Sequence, residues 1–280
     1  HGLNNFPQRD YEFFLAACCN ERVNEGIIQC LLECFPAAIS ATDDIGQSPL
    51  HLACGYNKNV TLNIIQLLID AAPDSVSSAD IKGWMPLHCL CMNTELDGIA
   101  ELEILKLLKE KHSEAVRYAD NNGLLPIHMV GGYGRRSIEF CRVLIEAYPG
   151  SERMTDEDGL LPLHYACMYN TVATVQYLYE LHPDAINHTT TDGHYPIHYA
   201  ILGMNRRDSV ITAVDIVQFL LDCDSNVKLQ KYEGTEHGQE TESLLHFACD
   251  LAPPNIEARI QIIKEIYDAY PEAIEDDRIA

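Results

Sequence analysis

The sequence predicts an all-α solenoid, a row of short helical pairs stacked side by side, and three observations carry that prediction. A seven-residue segment recurs along the chain, a turn signature precedes most of its copies, and an apolar helical pattern closed by proline follows. The fullest copy is Leu161-Pro162-Leu163-His164-Tyr165-Ala166-Cys167. The others are Ser48-Pro49-Leu50-His51-Leu52-Ala53-Cys54, Met85-Pro86-Leu87-His88-Cys89-Leu90-Cys91, Leu125-Pro126-Ile127-His128-Met129-Val130-Gly131, Tyr195-Pro196-Ile197-His198-Tyr199-Ala200-Ile201 and Ser243-Leu244-Leu245-His246-Phe247-Ala248-Cys249. Successive histidines are 37, 40, 36, 34 and 48 residues apart, which is one period interrupted by insertions.

Each part of the unit has a physical reason. Proline is tolerated in the first helical turn, where its missing N–H would have no intrahelical partner, so Pro-Leu-His opens a short helix. Ahead of it stand Asp43 to Gly46, Asp80 to Gly83, Asp120 to Gly123 and Asp156 to Gly159. A carboxylate that accepts nearby backbone N–H groups, followed by a glycine free to take positive φ, is turn chemistry.

The second helix of each unit shows in Ile64, Ile65, Leu67, Leu68 and Ala71, in Ile104, Leu105, Leu107 and Leu108, and in Val175, Tyr177, Leu178 and Leu181. Pro73, Pro149, Pro183 and Pro271 stop these helices, and the following Ala or Ser with Val or Ile leads into the next turn. One such pair cannot bury its apolar face alone, so neighbours must share a continuous core.

This pattern resembles the ankyrin repeat family, whose unit is about 33 residues long with a T-P-L-H-x-A signature; the resemblance runs from about Asp10 to Tyr270. Four units depart from it, carrying Met85, Leu125, Leu161 and Tyr195 before proline, and so are expected to lack a hydroxyl cap worth roughly 1 kcal/mol. The helix ends read Pro-x-Ala-Ile, which marks a divergent branch. The resemblance implies that His51, His88, His128, His164, His198 and His246 stitch turns together by hydrogen bonds. It also implies that turns and first helices line a concave side where partners bind.

Taken in order, residues 1–9 are a tail and 10–42 a capping repeat, where Phe14 stands 37 residues before His51 in place of the histidine. Repeats follow at 43–79, 80–119, 120–155, 156–189 and 190–227. The second of these is lengthened between Thr94 and Glu101, an insertion expected in the loop between its helices. Residues 228–242 are polar and Gly-containing, too poor in apolar side chains to repay their ordering, and are expected to form a long mobile turn. The last repeat is 243–274, and 275–280 begin another, so the array is expected to be part of a longer protein.

Composition narrows the function. With 47% hydrophobic residues there is material for a core, and no run of about 18 apolar residues suggests a membrane span. Against 42 acidic residues stand 19 basic ones, a formal charge of −23. Such a surface repels nucleic acid and anionic lipid, and favours solubility or the steering of a basic partner. Cys54, Cys91, Cys167 and Cys249, three residues after a motif histidine, are read as small buried hydrophobes, and the odd total of eleven cysteines at helical positions fits a reducing compartment, cytoplasm or nucleus. The cluster Cys18, Cys19, Cys30 and Cys34 lacks paired zinc knuckles and is read as core packing.

No metal, cofactor or small-molecule substrate is called for. The motif histidines recur once per repeat, about 10 Å apart at ordinary interhelical distances, too far for two to share a zinc ion. Nucleophile elbows, phosphate-binding loops and kinase signatures are missing from the sequence. The chain is therefore expected to be a non-enzymatic, monomeric scaffold for a protein or peptide. The alternatives are a regulatory or targeting region of a longer enzyme, and a homo-oligomeric spacer.

Two rows are the candidate partner-binding residues. Trp84, Leu124 and Leu160 follow turn glycines together with Gln47 and His194, and an exposed row of this kind would favour a covering partner; the other possibility is that these side chains fold back onto the next turn. Tyr56, Tyr133 and Tyr169, with Asn93, lie five residues after a motif histidine and offer flat apolar faces with hydroxyls. Asp44, Glu157, Asp158 and Asp192 surround them with negative charge, while Arg135-Arg136 and Arg206-Arg207 are read mainly as partners of surface carboxylates.

Overall fold

The computed structural model describes residues 6–133, 137–205, 210–223, 231–233, 241–250, 256–269 and 271. These form fourteen α-helices and one short two-stranded ladder, grouped into two compact units. The first unit holds the described residues up to Met129 together with Glu139–Ser151, and the second holds Val130–Ile138 with the described residues from Glu152 onward.

In the first unit the leading helices are α1 (Phe6–Cys19), α3 (Pro49–Tyr56) and α5 (Pro86–Met92), and they pack in that order. Behind them lie α2 (Glu25–Cys34), α4 (Leu62–Ala71) and α6 (Gly98–Lys111), also packed in series. Helix α7 (Pro126–Tyr133) begins in this unit and ends in the second, and α8 (Ile138–Ala147) lies almost wholly in the first. Phe14, Ile64, Ile65, Leu68, Leu87, Ile104 and Leu105 are fully buried between the layers, each worth about 1.5–3 kcal/mol of transfer free energy.

The second unit repeats the plan with α9 (Pro162–Tyr169), α10 (Val172–Leu181), α11 (Pro196–Leu202), α12 (Val210–Cys223), α13 (Leu244–Asp250) and α14 (Ile256–Ala269). Helix α11 packs on α9 and α13, and α12 on α10 and α14.

The proline-marked ends are 3-10 turns. Pro36–Ser40, Pro73–Ser77 and Pro183–Asn187 are three of them, with Ile39, Val76 and Ile186 as buried plugs. Asn24, Thr61, Asp97 and Thr171 cap the second helices through side-chain oxygens.

One sequence expectation changes. The insertion after Thr94 does not lengthen a loop: Asp97 accepts the N–H groups of Ile99 and Ala100 and starts a 14-residue helix, against 10 residues in α4. A cap at that point converts the added residues into another helical turn. In the polar insertion, β1 (Lys231–Glu233) and β2 (Thr241–Ser243) pair antiparallel with Tyr232 opposite Glu242, which satisfies backbone groups of both segments. Residues 234–240 between them lie outside the described part.

Candidate partner-binding surface

The turns come first, because they fix what the surface can present. Asp43, Asp80, Asp120 and Asp156 each use Oδ1 to accept two backbone N–H groups, two and four residues ahead, at 2.8–3.0 Å. Thr190 does part of this work in the next turn, accepting from the His194 N–H at 3.2 Å. Oδ2 is then left for another donor. Gln47 Nε2 donates to Asp80 at 3.0 Å and Trp84 Nε1 to Asp120 at 2.8 Å, each reaching one turn forward. Leucine offers no such donor, and at Asp156 the Tyr165 hydroxyl supplies it at 2.6 Å.

This corrects the expectation of an exposed row. Trp84 and Leu160 are buried, while Leu124 and His194 are half-buried. Trp84 follows the fold-back alternative, its indole N–H satisfied by the next turn and its ring covered by Lys82 at 4.6 Å. Backbone bonds tie the same turns, from Ile81 N–H to the Ile45 carbonyl, Asn121 to Lys82 and Thr191 to Asp158. Gly83 sits at this seam with φ +81°, and a Cβ there would stand 2.7 Å from Asn121 Oδ1.

His51, His88, His128, His164 and His198 are completely buried. In each, Nδ1 accepts the backbone N–H three residues back, at 3.0–3.2 Å from Ser48, Met85, Leu125, Leu161 and Tyr195. The ring thereby satisfies the cap N–H that accompanies a capping box even where the cap residue has no hydroxyl. An accepting Nδ1 leaves the proton on Nε2, which in His51 donates to the Trp84 carbonyl at 2.9 Å and in His88 to Tyr118 at 3.1 Å. Burial holds His88 down to about 4 and His164 and His198 down to about 3, so all three are neutral at pH 7. His246 is half-buried beside Asp250 at 3.3 Å.

Sequence reasoning missed a second ladder. Asn57, Asn93 and Asn170 end the leading helices and are buried. Asn57 donates to the Cys18 and Asn20 carbonyls, Asn93 to Cys54 and Asn57, and Asn170 to Val130, at 3.0–3.2 Å. Asn93 stood in the tyrosine row because α5 is one residue shorter than α3. The signal was an asparagine five or six residues past the histidine.

What remains accessible differs between the units. In the first, Tyr56 is 53% exposed and borders a groove of about 470 Å³ with Glu21, Lys58, Met92 and Glu95. Lys58 Nζ lies 2.6 Å from Glu21 and 3.7 Å from Glu95; the three sit at the same position of successive units, 37 residues apart. Ile81 on a turn tip is 64% exposed. The second unit has half-buried aromatic side chains at Tyr165, Tyr169, Tyr199, His194 and Phe247. His194 lies edge-on to Tyr199 at 6.1 Å and Phe247 at 5.6 Å, and burial lowers its pKa against the pull of Asp192. The Tyr133 side chain, Arg135-Arg136 and Arg206-Arg207 lie outside the described residues.

Among the described residues no three His, Cys, Asp or Glu side chains are placed to hold a metal ion, and no helix is long and apolar enough to cross a membrane. Of the four motif cysteines, Cys54, Cys91 and Cys167 are buried as expected, while Cys249 is half-buried. Cys30 and Cys34 are exposed, which corrects their reading as core.

A comparison with curated proteins finds no match. The family model described as ankyrin repeats (3 copies) matches residues 13–115, 98–187 and 127–231. Ankyrin repeats are generally protein–protein interaction modules and typically non-catalytic. With a matched span that takes in most of the sequence, and turns, histidines and paired helices repeating in register beneath it, the chain belongs to the ankyrin repeat family.

Proposed function

We propose that this chain is a non-catalytic scaffold that docks a protein or peptide segment carrying a basic side chain next to a large apolar one. The observation that supports this best is the groove of the first unit, where an exposed tyrosine ring stands among two carboxylates that share a single lysine. Glu95 is 70% exposed and only 3.7 Å from Lys58, so an incoming cation can reach it without breaking the shorter Glu21 pair. The net charge of −23 draws such a segment in at long range. Tyrosine supplies apolar area at low entropic cost and is common among binding hot spots.

The test is selection from a random peptide library on the purified chain, followed by affinities for Tyr56→Ala and Glu95→Gln. Enrichment of basic-plus-apolar sequences, a loss of tenfold or more in Tyr56→Ala and a flattened salt dependence in Glu95→Gln are expected. Peptides that bind both variants as they bind the parent would remove this groove from the function.

A further inference from the structure

Cys30 and Cys34 are exposed on α2, one helical turn apart. The remaining cysteines are buried or half-buried, so this is the one pair of open thiols, and core packing does not account for it. Residues at i and i+4 of a helix have Cβ atoms about 5–6 Å apart on one face. We propose that Cys30 and Cys34 form a surface dithiol site for a soft, thiophilic metalloid centre, trivalent arsenic, that bonds to two sulfurs and keeps its third substituent.

Geometry separates this ligand from a disulfide. A disulfide needs Cβ atoms about 3.5–4.5 Å apart, so direct closure would have to distort the last turn of α2, whose Phe35 N–H is bonded to the Leu31 carbonyl at 2.8 Å. A bridging atom leaves its two sulfurs far wider apart than the roughly 2.05 Å of an S–S bond; a thiolate-bound zinc, at about 2.3 Å per bond, sets the scale. The helix can keep its hydrogen bonds while the bridge closes.

The electrostatics point the same way. A hydrogen bond with Cys30 raises the Cys34 thiol, and the charges of Cys30 and neighbouring Glu33 add to it. Attack on a hydroperoxide requires thiolate and is disfavoured at Cys34. Arsenical binding consumes two thiols with no net change in charge: the dihydroxyarsine R–As(OH)2 forms two As–S bonds and loses two As–OH bonds. The thiol protons leave with the hydroxyls as two waters, and no atom is oxidised or reduced.

The probe is phenylarsine oxide, whose hydrate is that dihydroxyarsine, added to the full chain in the presence of excess glutathione. Intact-mass and peptide mapping should place one phenylarsenic on the peptide containing Glu25–Cys34. The adduct should withstand glutathione, a monothiol, and be stripped by a small dithiol. Cys30→Ser and Cys34→Ser should each lower its retention tenfold or more with an unchanged circular dichroism spectrum, since both side chains are exposed. Retention by either variant, an adduct at another cysteine, or none at all would overturn the assignment.

Discussion

Mild acidification should destabilise this protein through its buried imidazoles, in both units. His88, His164 and His198 have native pKa values held by burial at about 4, 3 and 3, whereas an unfolded histidine titrates near 6.5. Between those values the unfolded chain binds more protons, so stability is fully present above about pH 6.5 and is lost as pH falls toward the native pKa. At pH 5 each neutral ring costs about 2 kcal/mol. The first unit then loses about 2 kcal/mol through His88 and the second about 4 kcal/mol through His164 and His198, against a domain stability of about 5–15 kcal/mol. His51 is lowered too and adds to the first unit's loss. Urea unfolding at pH 7, 6 and 5 measures this, with circular dichroism for the whole chain and fluorescence of Trp84, the single tryptophan, for the first unit. Both midpoints should fall with pH, and His198→Gln should remove one proton from the slope of stability against pH. A midpoint unchanged from pH 7 to pH 5, or a variant with the parent's slope, would refute the reasoning.

Three further substitutions test the ladders by urea denaturation. Trp84→Phe strips Asp120 Oδ2 of its indole donor and should cost about 1.5–3 kcal/mol, as for a hydrogen bond to a charged group; a neutral result would mean the turns hold without it. Asn93→Ala leaves the Cys54 and Asn57 carbonyls without their side-chain donor and should cost about 2–3 kcal/mol. Gly131→Ala puts a methyl 2.6 Å from Tyr165 Cβ and 2.9 Å from the Ala166 nitrogen, an overpacking cost of about 1–3 kcal/mol, and an unperturbed variant would show that α9 can give way.

Much of this was legible because the signals are local or repeated. Pro-Leu-His (or Pro-Ile-His) as a helix start, Asp-x-x-Gly as a turn and the proline helix ends depend on backbone chemistry within a few residues, and four or five copies reinforced each reading. The surface was less legible, since exposure depends on what the next turn offers. Trp84 looks like a docking residue until Asp120, 36 residues on, is seen to hold its N–H. Cys30 and Cys34 look like core residues until the helix phase of α2 places them outward. Asp97 turned an expected loop into helix, as a cap matters only once the chain on both sides has chosen its direction.

By itself, then, the sequence determined the repeat and its helical pairs, because periodicity and turn residues act through short-range sterics and hydrogen bonding. Only the tertiary structure decided which Oδ2 meets which donor, which tautomer each imidazole holds and which aromatic rings stay open. Those are set by contacts some 30–40 residues away in the chain, where a one-residue difference in helix length exchanges a buried asparagine for an exposed tyrosine.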